Sequence, residues 1–171
     1  MRVAYEYFPE PLIHEKKVLT AALSNKKLQK KLVQLLQNIN RKTFTFEEIS
    51  NPTVPGCTVI FELGITDTKN FNYIDEEETK KVLAALKKET FRIMDFFCAI
   101  RYYTDYASLK KPLKFDYYLI RFIFPNENLV ELQIYHERGP RYIPPKALAA
   151  FLLDKVNETS TRAILKETEE P

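Results

Sequence analysis

The chain has 171 residues, 45% of them hydrophobic and 29% charged, which is the size and balance of one globular domain and excludes a disordered or low-complexity protein. Twenty-six Lys and Arg against 23 Asp and Glu leave a net charge of only +3, so bulk charge names no partner. No stretch of 18 apolar residues suggests a spanning helix, and the first residues, MRVAYEYFPEP, lack the apolar segment of a secretory signal.

Taken in order, residues 2 to 8 alternate and read as a short strand stopped by Pro9 and Pro11. From Leu12 to Ile39 apolar residues recur at helical spacing, which predicts one helix, or two divided at Ser24-Asn25, where Ser24 is a suitable N-cap. Residues 43 to 49 and 57 to 65 alternate as two strands joined by the Pro-containing loop NPTVPG. Asp75 then caps a helix whose first turn holds Glu76, Glu77 and Glu78; its stripe of Val82, Leu83, Leu86, Ile93, Phe96, Phe97 and Ile100 predicts a run to about Tyr103. After a basic loop over 104 to 114, residues 115 to 124 are apolar on both faces, as in a central strand, and 129 to 136 alternate as its hairpin partner. Pro145 suits the first turn of a last helix over 145 to 157. The order β-α-β-β-α-β-β-α predicts an α+β fold of two layers, a mainly antiparallel sheet with helices packed on one face. Residues 1 to 157 form the expected domain and 158 to 171 a flexible tail, in which Ala163-Ile164-Leu165 alone is suited to docking.

Most catalytic signatures are missing. Three glycines allow neither a GxGxxG nor a GxxxxGK[ST] phosphate loop, and there is no GxSxG. His14 and His136 are the only histidines and neither belongs to a metal-ligand cluster, so no cofactor or metal is expected. Cys57 and Cys98 lie far apart in apolar surroundings and read as buried thiols in a reducing compartment, hence a cytoplasmic location.

The positive charge is segregated. Residues 1 to 42 carry nine Lys and Arg against three acids, whereas residues 43 to 100 carry six against ten. Lys26, Lys27, Lys30 and Lys31 share one helix flank without interleaved acids, a phosphate-contacting surface unless they are simply a solvated face. The segment 101 to 118 interleaves Arg101, Lys110, Lys111 and Lys114 with Tyr102, Tyr103, Tyr106, Tyr117 and Tyr118. Cations for phosphates and rings for bases are what single-strand binding needs, although a surface loop packing its rings has the same composition. Residues 135 to 146 place His136, Arg138, Arg141 and Lys146 around Gly139 before a helix start, and the two arginines call for an anion between them, expected to be external.

These features predict a non-catalytic binding module, nucleic-acid-associated through backbone-led, weakly sequence-specific contacts. The alternatives are a protein-interaction or oligomer-forming module, favoured by the ten tyrosines, and an enzyme or anion-ligand binder built around His136, Arg138 and Arg141.

Overall fold

The computed structural model describes residues 4–50, 57–67, 69–104 and 112–168. Its elements in chain order are β1 (Glu15–Ala21), α1 (Asn25–Ile39), β2 (Thr43–Thr45), β3 (Cys57–Asp67), β4 (Asn70–Tyr73), α2 (Glu76–Lys88), β5 (Ile93–Thr104), β6 (Pro112–Ile123), β7 (Leu129–Arg138), α3 (Pro145–Glu158) and β8 (Leu165–Glu167). The strands form one eight-stranded sheet in the order β2-β3-β5-β6-β7-β1-β8, with β4 beside β3, and every pairing is antiparallel. The fold class is therefore α+β, as expected.

Alternation along the strands decides what faces the helices. On β5, Met94, Phe96, Cys98, Ile100 and Tyr102 are buried; on β6 and β7 so are Tyr118, Ile120, Phe122, Leu132 and Ile134. They join Leu28, Leu32 and Leu36 of α1, Val82 and Leu86 of α2, and Leu148 and Leu152 of α3 in one core. Packing is close: a gap lined by Leu19, Leu32, Phe122 and Leu152 measures about 10 Å³, scarcely the room of one water. Among the described residues, no helix is long and apolar enough to cross a membrane.

Three expectations change. The helix beginning at Glu76 ends at Lys88, and Ile93–Thr104 is the long strand β5. Ile93, Phe96, Phe97 and Ile100 satisfy helical spacing, but Phe96, Cys98, Ile100 and Tyr102 also satisfy a period of two, and aromatic and β-branched residues favour the latter. Residues 4 to 14 form an irregular strap with a 3-10 turn at Glu10–Leu12; the first strand is Glu15–Ala21, inside the predicted helix. Ser24 does cap α1, its side chain accepting from the Lys27 N–H. Finally, residues 165 to 167 pair with β1 instead of trailing away. Asn157 on α3 accepts the backbone N–H groups of Ile164 and Leu165 through its side chain and donates to the Leu165 carbonyl, which fixes that return.

Candidate functional site

The helices leave the second face of the sheet bare, and the odd-numbered residues of β5 and β6 project from it. Register sets the rows. Glu62, Ala99, Tyr117 and Arg138 lie side by side across β3, β5, β6 and β7; Gly64, Phe97, Leu119 and Tyr135 form the next row, with Tyr73 of β4 beyond Gly64. Below them Asp95 pairs with Arg121.

The lower part of this face is occupied by the N-terminal strap. Arg121 forks onto both oxygens of Asp95, at 2.8 Å each, and also reaches Glu10 at 2.6 Å. Phe8, buried, lies with its ring 4.0 Å from the guanidinium, and the Tyr5 N–H donates to Asp95 at 2.5 Å. Burial pushes the Asp95 pKa up, against the pull of Arg121. For Arg121 burial acts downward, but bonding to Asp95 and the charges of Asp95 and Glu10 hold the pKa above the usual value. The pair is an internal clamp for the strap.

The upper part remains open and aromatic. Phe115, Tyr117 and Phe97 run together: Phe115 stacks on Tyr117 at 6.3 Å between centroids with 14° between planes, and Phe97 follows at 5.7 Å. The Arg138 guanidinium lies 4.4 Å over the Tyr117 ring. Arg101, half-buried, bonds the Glu62 carboxylate, which also receives the Tyr73 hydroxyl at 3.2 Å. On β7, Tyr135 is stacked by His14 at 4.9 Å and 10°. The arrangement offers an exposed ring at Phe115, half-buried rings at Tyr117 and Phe97, one cation over the Tyr117 ring, and a carboxylate–guanidinium pair at the rim. Rings and guanidinium planes of this kind bind unstacked bases and phosphates.

The described residues among those expected lie on the open face, on α1 and at the turn after β7. Arg101, Tyr103 and Arg138 belong to this open face or its upper margin. Lys110 and Lys111 lie outside the described residues. Lys26, Lys27, Lys30 and Lys31 sit on α1, in the helical layer; Lys26 Nζ donates to the Lys87 carbonyl, and Lys88 and Arg92 line the neighbouring groove of about 810 Å³. Gln29 makes two hydrogen bonds to Phe91, just before β5 begins, whereas Arg101 lies eight residues beyond Ile93 on that strand. Along an extended strand that is roughly 26 Å. The two groups of cations therefore belong to different layers and opposite ends of the sheet.

The turn after β7 is built around a buried carboxylate. Asp116, fully buried, accepts from the backbone N–H groups of Arg141 at 2.7 Å and Tyr142 at 3.0 Å, from the Tyr102 hydroxyl at 2.6 Å, and faces His136 Nε2 at 2.7 Å. His136 points into the core beside Tyr118, away from the open face. Arg141 is exposed and has a left-handed backbone (φ 59°), and Lys146 is exposed on the first turn of α3. Burial, then the neighbouring Tyr118 and Asp116, push the Tyr102 hydroxyl pKa far up, so it stays a donor. Cys98 is likewise buried and its thiol pKa raised by burial, which makes it inert. Among the described residues, no group of three or more His, Cys, Asp or Glu is disposed to hold a metal ion.

Glu62, Phe71, Tyr73 and Phe97 were not among the expected site residues. The one signal that finds Phe97 is the period of two in Ile93–Thr104; for Phe71 and Tyr73 nothing in NFNY distinguishes a strand from a loop.

No family model matches the chain, and no curated protein or solved structure matches it either.

Proposed function

We propose that the chain is a non-catalytic binding module whose open sheet face takes single-stranded nucleic acid. The observation that carries this reading is the row Phe115, Tyr117 and Phe97 on the face without helices, with Arg138 lying over its middle ring. Stacking on such rings is worth roughly 1–3 kcal/mol per base and tolerates any base, which agrees with weak sequence preference. Duplex is a poorer ligand for this surface because its bases are already stacked and show no ring face.

The test is fluorescence anisotropy with labelled single-stranded DNA, single-stranded RNA and duplex of equal length at two salt concentrations. The expected order is single strands well above duplex, and the variant Tyr117→Ala with Arg138→Gln loses ~10-fold or more, from the stacking energy just given. Equal binding of duplex, or an unchanged variant, overturns the proposal. A second reading, a protein-docking surface, has its own support in Tyr7 and Leu12, which the strap exposes at 63% and 61%.

A further inference from the structure

The strap over the lower half of the open face carries the same chemistry as the ligand proposed for the upper half. Residues 4 to 14 are laid on the sheet and are not paired into it as a strand. The strap backbone reaches the sheet near its two ends, through the Tyr5 N–H on Asp95 and the His14 N–H on the Ile134 carbonyl. Between them the Phe8, Glu10 and Leu12 N–H groups donate to carbonyls of the strap itself, those of Tyr5, Phe8 and Pro9. Side chains do the rest. The Glu10 carboxylate accepts from the buried Arg121 guanidinium at 2.6 Å, as a phosphate oxygen would. The Phe8 ring lies 4.0 Å from that guanidinium, as a base would. His14 lies flat on Tyr135, in the manner of a stacked base.

The strap also meets the aromatic platform on two sides. Tyr135 lies in the same row as Phe97, and His14 covers its ring. Tyr5 packs 4.7 Å from Phe71, whose ring is 5.2 Å from that of Phe97. Two rings that a strand could stack on are thus taken by rings of the chain itself. Glu6, 4.0 Å from Lys69, and Glu10 add two carboxylates that repel a polyanion as long as the strap stays down. Their hold is modest: the Glu10 side chain is 69% exposed, so water competes with it for Arg121.

We propose that the strap is an intramolecular competitor for the open face, its rings standing in for bases and its carboxylates for phosphates, so that a short strand binds above it and a longer one displaces it. Displacement frees one side of Arg121, still oriented by Asp95, for a phosphate, and frees Tyr135 for a base. The inference rests on the nucleic-acid reading of the face and adds to it a limit on affinity built into the fold.

The experiment compares oligo(dT) strands of about three and about twelve nucleotides, the shorter matched to the row Phe115, Tyr117 and Phe97. Binding is followed by anisotropy and, on isotope-labelled full-length protein, by backbone amide shifts. In the unaltered protein the long strand is expected to shift the amides between Tyr5 and His14 saturably, and the short strand to leave them in place. The variant Glu10→Gln with His14→Ala should bind the long strand about 10-fold more tightly and the short strand within about 2-fold of the unaltered protein, because apparent affinity rises with the fraction of molecules whose strap is released. Adding Phe8→Ala should enlarge the gain; if that variant does not fold, the double variant decides alone. Strap amides unmoved by the long strand, or equal gains for both lengths, overturn the inference while the wider reading stands. If neither strand binds any form at saturating concentration, the wider reading falls and this inference with it.

Discussion

Asp116 shows how one buried carboxylate organises several elements. It ties β6, β5 through Tyr102, β7 through His136, and the turn that leads into α3. Gly139 makes this possible. At φ 115° a Cβ there would stand 2.3 Å from the Phe115 carbonyl oxygen and 2.4 Å from Asp116 Oδ1. Gly139→Ala should therefore destabilise the fold by at least ~1–3 kcal/mol from backbone strain alone, before the clash is added. Denaturant melts measure it, and a loss below about 0.5 kcal/mol would mean that the turn is not held as described. His14 gives a pH-dependent counterpart. Its Nδ1 accepts the His136 N–H at 2.9 Å, so the ring must be neutral there. Burial, then the charges of Arg141 and His136, lower its pKa below 6.5. A depressed folded value means the unfolded chain binds the proton more readily, so this contribution is complete above 6.5 and is lost as pH falls through the folded value. NMR titration of His14 should give a midpoint below 6.5; a midpoint above it would contradict the bond. The sequence pointed to His136, Arg138 and Arg141 as a group in need of an anion. It did not show that Asp116, some twenty residues away, meets His136 and the backbone of Arg141, because only strand register brings them together.

At the scale of elements, the strands that were legible are those with a single period. Residues 129 to 136 alternate cleanly and lie in β7, and all but the last residue of the apolar run 115 to 124 lies in β6, the central strand of the sheet path. Ile120 is 1% exposed between β5 and β7, so Ile120→Ala should cost roughly 2–5 kcal/mol as an unfilled cavity. A cost well under 1 kcal/mol, measured by denaturant unfolding, would move that strand to an edge. What was not legible has physical causes. Ile93–Thr104 fits two periods, and no glycine or proline separates it from α2; only the pairing partners β3 and β6 decide for strand. Leu165–Glu167 is too short to signal itself, and it is ordered by Asn157 and by the free edge of β1. The candidate site shared this fate, since Phe97 becomes a surface residue only once β5 is a strand.

For the whole molecule, a net charge of only +3 conceals two separated basic regions, and the proposed ligand contact falls on the one with aromatic rings. The lysines of α1 then act through their field, which fades beyond roughly 8 Å at physiological salt. Replacing Lys26, Lys27, Lys30 and Lys31 by Glu should weaken single-strand binding at low salt and leave it nearly unchanged at physiological salt, as anisotropy would show. A large loss at both would make α1 the contact surface. The most direct measurement is to map a saturating single-stranded oligonucleotide onto the protein by amide chemical shifts. Binding at the open face requires that perturbations gather at Phe97, Ala99, Phe115, Tyr117, Tyr135 and Arg138, and spare α1. Perturbations confined to α1 and the residues about Lys87, or none at saturating concentration, would contradict it.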